Sequence, residues 1–192
     1  MMQIRAFQPD DQLAVIALWQ RCDLLRPWND PVKDMARKMA DSPEWFLLGE
    51  VDGQVVGSRL LGQDYPGPGW FYPRPSASQY DAMASGAANL GPDNPDLVAT
   101  IAARQLAVAA REGVSVEQVP ADAVTTSASG LDPGISPAYA QLQVARVARE
   151  TGLAPDRLRE LIDAATMPPG FGALGERWVN VQELNLAVAQ AQ

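Results

Sequence analysis

The sequence predicts a mixed α/β protein of the α+β kind, and three observations favour that class. Short apolar runs with strand-like alternation occur near the start, as in MQIRAF. Longer runs with apolar residues at helical spacing follow Asp-Pro, Asn-Pro and Ser-Pro pairs, which are typical helix starts. The composition also changes along the chain. Both lysines, Lys33 and Lys38, lie in the first third, and every basic residue after Gly62 is arginine. Two parts of different composition are therefore expected.

The residue totals exclude several classes of function. A formal net charge of −8 disfavours nucleic-acid binding. The chain has no histidine, which excludes a Ser-His or Cys-His catalytic pair and a histidine-bearing zinc site. Its one cysteine, Cys22, excludes an internal disulfide framework. No run approaches the ~18 apolar residues of a membrane span, so we expect a soluble chain with no membrane span of its own.

The first third predicts the order strand, helix, helix, strand, strand. One helix is expected after Pro9-Asp10-Asp11, and a second begins where Asp30 can cap and Pro31 fits the first helical position. The runs EWFLLGEV and QVVGSRLLG predict a hairpin across Asp52-Gly53, a favoured two-residue turn. The buried faces are predicted to consist of Leu13, Ile16, Ala17 and Leu24 in the first helix, and of Val32, Met35, Ala36 and Met39 in the second.

The phrase LWQRCDLLRPWNDP, from Leu18 to Pro31, resembles the N-terminal part of a GNAT acetyltransferase, and the resemblance covers about residues 2–57. It implies acetyl-CoA as cofactor, held by a Gln/Arg-x-x-Gly-x-Gly/Ala loop that opens a helix. GPGWFYPRPSAS stands where that loop should follow, and the motif occurs nowhere downstream. We therefore expect residues 1–56 to be a truncated GNAT-like segment without acetyl-CoA binding. A fragment of an N-acetyltransferase that uses acetyl-CoA is the alternative function.

The remaining two thirds predict four helices. Asn94, Ser136 and Asn180 can cap three of them, and Pro155 opens the other. Gly152 is expected to end the helix that begins after Ser136, in a left-handed conformation. Between the last two helices, PPGFGALGE predicts an irregular loop. The predicted apolar stripes contain Leu97, Ile101, Arg104 and Val108 in the first of these helices, and Leu158, Leu161, Ile162 and Ala165 in the third.

Five motifs occur in order in this region and together resemble the KdpC family, the small subunit of the bacterial Kdp potassium-transporting P-type ATPase. Two look like the family's early strands, one like its Asn-Leu-Gly-Pro turn, one like its best-known loop and one like its C-terminal segment. The motifs are DGQVVGSRLLGQ, WFYPRPSAS, YDAMASGAANLGPDNPDL, VTTSASGLDPGISPAYA and GERWVNVQELNLAV. The resemblance covers about residues 51–192, and residues 57–192 are the expected KdpC-like soluble domain.

This second resemblance implies an accessory subunit that is not an enzyme on its own. Its partners would be the channel subunit and the P-type ATPase subunit, in an inner-membrane complex with the soluble domain on the extracytoplasmic side. Members of the family begin with one transmembrane helix, and here the GNAT-like segment is expected in its place. The resemblance also implies ATP as a possible ligand. A hybrid chain without a native function is a further alternative.

The candidate site for a nucleotide or a partner protein is the loop Thr125–Ser136. Its hydroxyls and backbone N–H groups can face a phosphate or a hydrated ion. The alternative is a structural loop in which Ser and Thr satisfy their own backbone and Asp132-Pro133 makes a turn. Gly134 stands where the family commonly has histidine. The candidate residues of this loop are Thr125, Thr126, Ser127, Ser129, Gly130 and Asp132.

Three further residues are candidates for contact with a partner. Asn89, in NLGPDNP, lies either in a partner-facing turn or in a helix entrance. Arg74, between two prolines, is either a docking charge or a solvated arginine. Arg146, with Arg149, is expected to pair with acids of a neighbour or with Glu150, in exposed pairs that contribute roughly 0–1 kcal/mol. No catalytic residue and no metal ligand is predicted.

Overall fold

A computed structural model of the chain shows the predicted mixture of helices and short strands. It describes residues 2–21, 25, 30–41, 47–51, 54–57, 61–81, 84–169 and 175–192. The chain divides into two compact units, Met1–Arg59 and Leu60–Gln192, each with a three-stranded sheet and a hydrophobic core. Across these ranges, no helix has the length and apolar character that crossing a bilayer requires.

The first unit has the predicted order of elements. They are β1 (Met2–Ala6), α1 (Gln12–Arg21), α2 (Pro31–Asp41), β2 (Leu47–Val51) and β3 (Gln54–Gly57). The sheet is antiparallel in the order β1-β2-β3. Val51 pairs with Gln54, so β2 and β3 form the predicted hairpin with a two-residue connection. The turn residues Asp52-Gly53 themselves lie outside the described residues.

The start of α2 is formed as the sequence predicts. Asp30 Oδ1 accepts hydrogen bonds from Val32 N at 3.1 Å and from Lys33 N at 3.2 Å. Pro31 occupies the first position of α2, where its missing N–H costs no hydrogen bond. The prediction of Asp30 as the cap is therefore confirmed.

The predicted buried face of α1 is confirmed for Ile16, which packs against the core, and is wrong for Leu13. The side chain of Leu13 is 78% exposed, whereas Val15 is 2% exposed and joins Phe7, Met35 and Leu48 in the core. The reason is that QLAVIALWQR is apolar nearly all round, so the spacing alone does not choose a face. Leu24 lies outside the described residues. In α2, the predicted Met35 and Met39 pack in the core, but Val32 and Ala36 are exposed.

The described residues of the second unit form four α-helices, two 3-10 turns and three very short strands. The α-helices and strands are α3 (Pro95–Glu112), β4 (Gly134–Ile135), α4 (Pro137–Thr151), α5 (Pro155–Ala164), β5 (Thr166–Met167), β6 (Trp178–Asn180) and α6 (Val181–Ala191). The sheet is antiparallel with β6 in the centre, in the order β4-β6-β5. The helices therefore supply most of the core.

The caps of these helices follow the predictions. Asn94 accepts from the N–H groups of the second and third residues of α3, and Asn180 does the same for α6. Ser136 Oγ accepts from Tyr139 N at 3.0 Å. Gly152 ends α4 with a φ of 75°, a left-handed conformation that glycine adopts without a steric penalty. All four residues predicted on the apolar face of α5 are buried.

The run WFYPRPSAS does not form the predicted strand. We call residues 71–76 the proline segment, and its backbone has no regular structure. Asn185 Oδ1 accepts from Phe71 N at 2.8 Å, and Asn185 Nδ2 donates to Phe71 O at 2.9 Å. Gln143 binds both backbone groups of Tyr72 in the same way, at 2.7 and 3.1 Å. Side-chain amides thus replace a neighbouring strand, and the two prolines lack the N–H groups that a sheet would need.

Candidate functional site

The proline segment is joined to the loop over residues 125–136, which we call the hydroxyl loop. Backbone and hydroxyl groups of four residues outside the loop form hydrogen bonds with it. The hydrogen bonds are Ser127 N to Pro75 O at 2.9 Å, Ser76 Oγ to Gly130 O at 2.7 Å, Gly62 N to Leu131 O at 2.7 Å and Gly86 N to Ser129 O at 2.8 Å. Bonds to three separate segments, around residues 62, 76 and 86, fix the position of the loop.

The serine side chains of the hydroxyl loop are engaged within the loop itself. Ser127 is 1% exposed, and its Oγ accepts from Gly130 N at 3.1 Å and from Asp132 N at 3.3 Å. Ser129 Oγ lies 3.2 Å from Ser127 Oγ and accepts from Leu131 N at 3.1 Å. These hydroxyls satisfy the backbone of a tight turn, which limits what they can offer to a ligand.

Two glycines of the loop occupy places where a side chain would collide. Gly130 has a φ of 71°, and a Cβ there would lie 2.5 Å from Ser78 Oγ. A Cβ on Gly134 would lie 2.8 Å from Cε3 of the Trp178 ring and 3.0 Å from Asp132 Oδ1. The packing of Trp178 against Gly134 therefore leaves no room for a larger residue at this position.

Arg74 connects the proline segment to the hydroxyl loop. Its Nη2 lies 3.3 Å from Thr126 O and 3.4 Å from Thr125 Oγ1, and its Nη1 lies 3.5 Å from Asp132 Oδ2. Its Nε is buried and has no acceptor among the described residues. The interpretation as a solvated arginine is wrong, because the side chain is 27% exposed and folds onto the loop.

Arg74 also lines three of the cavities of this unit. One cavity, of about 440 Å³, includes Asp132, Glu176 and Trp178. Another, of about 520 Å³, runs along the tip of the hydroxyl loop from Ser127 to Pro133. The third, of about 270 Å³, lies beside α3. Arg74 is thus the residue that these three concave surfaces share.

Arg146 is buried, so the prediction of an exposed ion pair is wrong for this residue. Its side chain is 2% exposed, and its Nε lies 3.0 Å from Oε2 of the fully buried Glu112. Nη2 donates to Gln143 Oε1 at 2.7 Å, and Nη1 donates to Trp70 O at 2.9 Å and to Pro68 O. The cause is its place on α4, where it shares the core-facing side with Gln143.

Arg149 pairs with Glu150, as predicted, with Nε 3.1 Å from Oε1. Both partners are partly exposed, so the pair contributes little to stability. Asn89 is exposed and has a φ of 52°, a left-handed conformation that asparagine tolerates better than most residues. No hydrogen bond within the described ranges joins Asn89 to the hydroxyl loop.

Sequence reasoning missed four buried polar residues that hold the site. They are Glu112, Gln143, Gln182 and Asn185. Tyr65 Oη donates to Gln182 Oε1, and Gln182 Nε2 donates to Leu61 O at 2.6 Å. Burial raises the pKa of Tyr65 to about 12. The signal in the sequence was the position of these residues at helical spacing on otherwise apolar faces.

The second unit is therefore a helical α+β domain whose irregular segments are fixed by buried amides and by one buried arginine. Residues 46–190 match the protein family KdpC, described as K+-transporting ATPase, c chain. The chain belongs to the KdpC family. The match begins at residue 46, slightly before the expected residue 51, and so includes β2 and β3 of the first unit.

Similar proteins carry the same family name. A potassium-transporting ATPase KdpC subunit of Kineococcus radiotolerans is 52% identical over 143 residues, which cover 73% of this chain and 73% of the relative. That of Xanthomonas oryzae pv. oryzae is 49% identical over 144 residues, covering 75% and 69%. That of Cereibacter sphaeroides is 49% identical over 140 residues, covering 73% and 74%.

Proposed function

We propose that the chain is an accessory subunit of an ATP-driven potassium uptake complex, where it stabilises or assists the channel subunit and the P-type ATPase subunit. The observation that carries the proposal is the family match over residues 46–190. The three relatives named above, at about half identity, are all KdpC subunits of a potassium-transporting ATPase. The subunit acts by contact and does not itself make or break bonds. Its soluble part faces the extracytoplasmic side of the inner membrane.

The hydroxyl loop is the surface through which the subunit contacts its partners. Thr126, Ser129 and Asp132 are only partly buried, and Ala128 at the tip is exposed. Three further candidates act from behind this surface or beside it: Arg74 orients Asp132, whereas Ser127 and Gly130 are buried and shape the turn. Arg146 is buried and supports the fold, and exposed Asn89 contacts a partner from the entrance of α3. A loop with a fixed shape loses little conformational freedom on binding, which favours docking.

Binding of ATP at the same loop is the alternative that the family resemblance implies. The buried Ser127 hydroxyl accepts from two backbone N–H groups of the loop, so neither the hydroxyl nor these N–H groups are offered to a phosphate. This engagement favours partner contact over nucleotide binding at the loop.

Co-purification of the whole chain with the two other subunits tests the proposal. A tagged chain is expressed with the channel subunit and the P-type ATPase subunit, and the detergent-solubilised complex is recovered on the tag. We expect both subunits to be recovered. A folded chain that recovers neither would contradict the accessory role.

A pair of variants tests the contact surface separately. Ala128→Trp places a bulky ring at the exposed tip of the hydroxyl loop, and Ala164→Trp places the same ring at the exposed end of α5. We expect Ala128→Trp to lower recovery of the partners while Ala164→Trp leaves it unchanged. Equal recovery with both variants would reject the loop as the contact surface but leave the subunit role intact.

For the front of the chain, we propose a truncated GNAT-like scaffold over residues 1–56, followed by the KdpC-like domain from residue 57. Two observations support it: the order β1, α1, α2, β2, β3, and the position of residues 2–45 outside the family match. The relatives named above do not favour the alternative, acyl transfer from acetyl-CoA. A thermal-shift titration with acetyl-CoA is expected to leave the melting temperature unchanged, and a saturable rise would reject the scaffold proposal.

A further inference from the structure

The smallest of the three cavities carries an unusual set of charges. Among its described lining residues are three arginines, Arg74, Arg104 and Arg111, and one acidic residue, Asp64. The whole chain has a formal net charge of −8, so this surplus of positive charge is local. Concave walls of low dielectric concentrate the field of the groups that line them. An anion near the surface is therefore attracted to this point.

The arginines of this cavity are incompletely neutralised. Arg104 Nη1 donates to Val124 O at 3.0 Å, and no carboxylate of the described residues pairs with Arg104. Arg74 reaches Asp132 only at 3.5 Å. Arg111 Nε lies 2.6 Å from Glu112 Oε1, but the same carboxylate also pairs with the buried Arg146. One carboxylate thus serves two guanidinium groups, and positive charge is left over at the cavity.

Tyrosine side chains and backbone oxygens hold the cavity arginines in place: Arg74 Nη2 and Arg104 Nη1 donate to Thr126 O and Val124 O, and Arg111 lies against tyrosine rings. The Cζ atom of Arg111 lies 4.4 Å from the centroid of the Tyr72 ring, and that of Arg146 lies 4.5 Å from the same centroid. Arg111 Nη2 donates to Tyr139 Oη at 3.0 Å. Tyr80 Oη donates to the backbone oxygen of Arg74. Planar guanidinium groups that are fixed in this way match the geometry of carboxylate and phosphate groups.

We propose that this cavity binds a small oxyanion, the carboxylate or phosphate group of a ligand. Its volume of about 270 Å³ suits one such group and is small for a whole nucleotide. Typical small-molecule sites measure ~300–1,000 Å³. The inference goes beyond the subunit role and does not depend on it, because it rests on the cavity and its arginines alone.

The direct test is an NMR titration of the whole chain with inorganic phosphate and, separately, with acetate. The readout is the chemical shift of the arginine Nε–Hε groups. We expect saturable shifts at Arg74, Arg104 and Arg111, and none at the exposed Arg157 and Arg159 of α5. The anion that binds more tightly identifies the group as phosphate or carboxylate. Shifts that grow linearly, or that spread evenly over all arginines, would overturn the proposal.

A matched pair of variants on α3 locates the site. Ala107 is exposed and lines the cavity, and Ala103 is exposed one turn earlier on α3 and is not part of the lining. Ala107→Glu and Ala103→Glu therefore add the same charge to the same helix. We expect Ala107→Glu to weaken binding about tenfold or more, as repulsion of roughly 1.4 kcal/mol implies, and Ala103→Glu to weaken it far less. Equal weakening by both variants would overturn the proposal.

Two further measurements separate the cavity from exposed arginines and from a nucleotide site. Arg104→Gln removes a cavity arginine, and Arg149→Gln removes an exposed arginine on α4. Only the first is expected to weaken binding of the anions, and equal weakening by both would overturn the proposal. ATP is expected to bind no more tightly than phosphate, because the cavity is small. Much tighter binding of ATP would indicate a nucleotide site and reject the small-oxyanion proposal.

Discussion

Arg146 on α4 and Glu112 at the end of α3 form an ion pair inside the second unit, with Arg146 Nε 3.0 Å from Glu112 Oε2. Their side chains are 2% and 0% exposed, so neither charge is screened by water. Both are also hydrogen-bonded to other groups, which offsets the cost of removing them from solvent. The pair fixes α3 against α4 and, through Arg146, holds the backbone just before the proline segment.

The first prediction concerns this pair. Arg146→Met removes one of the two guanidinium partners of the buried Glu112 carboxylate and the donor to Pro68 O and Trp70 O, and we expect a loss of about 3–5 kcal/mol in the free energy of unfolding. Urea denaturation followed by circular dichroism measures it. The control, Arg149→Met, breaks the exposed pair with Glu150 and is expected to change the free energy by less than about 1 kcal/mol. Equal losses in the two variants would contradict the buried role of Arg146.

A second prediction tests whether a side-chain amide replaces a strand. Gln143 is fully buried and binds both backbone groups of Tyr72. Gln143→Leu leaves these two groups without partners, and each unsatisfied buried group costs about 1–3 kcal/mol. The matched control is Gln141→Leu, at an exposed position of the same helix.

We expect urea denaturation to show a loss of at least about 2 kcal/mol for Gln143→Leu and almost none for Gln141→Leu. Hydrogen exchange adds a local readout, since the Tyr72 N–H should exchange faster in Gln143→Leu. Unchanged protection of this N–H would mean that the amide of Gln143 does not hold the proline segment.

A third prediction concerns the contact of Gly134 with Trp178. A methyl group on residue 134 would lie 2.8 Å from the indole ring, so Gly134→Ala must displace the ring or the hydroxyl loop. Overpacking of this kind costs about 1–3 kcal/mol. Gly86→Ala is the control, because a Cβ there meets nothing within 4 Å. Thermal denaturation of the two variants measures the difference, and a Gly134→Ala variant as stable as Gly86→Ala would refute the close packing.

The elements that were predictable from the sequence are those that depend on neighbouring residues. The caps at Asn94, Ser136 and Asn180 each bond to groups two or three residues away, so a local pattern is sufficient. The pairing of Arg146 with Glu112 spans 34 residues, and no local pattern indicates it. On α4 the helical spacing places Arg146 on the same face as Gln143, but that spacing does not identify Glu112 as the partner of Arg146.

The contacts of the proline segment were even less predictable from the sequence, because they join residues still farther apart. Its partners are amides of helices that lie 71 and 114 residues further along the chain. The family resemblance predicted a strand at WFYPRPSAS, and its backbone does need hydrogen-bond partners as a strand does. Only the folded arrangement shows that Gln143 and Asn185 provide them. For α1 the difficulty was different, because residues that are apolar on all sides do not identify the buried face.

The last prediction concerns the response of the first unit to acid. Arg5 donates to both carboxylate oxygens of Asp11, at 2.6 and 2.7 Å, and these hydrogen bonds hold the pKa of Asp11 below its ordinary value. A carboxylate with a lowered pKa in the folded state stabilises the fold above its ordinary pKa. That contribution is lost as the pH falls through the folded-state pKa. Carbon-detected NMR of the Asp11 carboxyl group should therefore give a titration midpoint below that of an unperturbed aspartate.

Arg5→Gln should raise this midpoint, whereas Arg37→Gln, which removes the exposed partner of Asp34, should leave it unchanged. An ordinary midpoint in the unmodified chain would show that the Arg5–Asp11 pair does not form in solution.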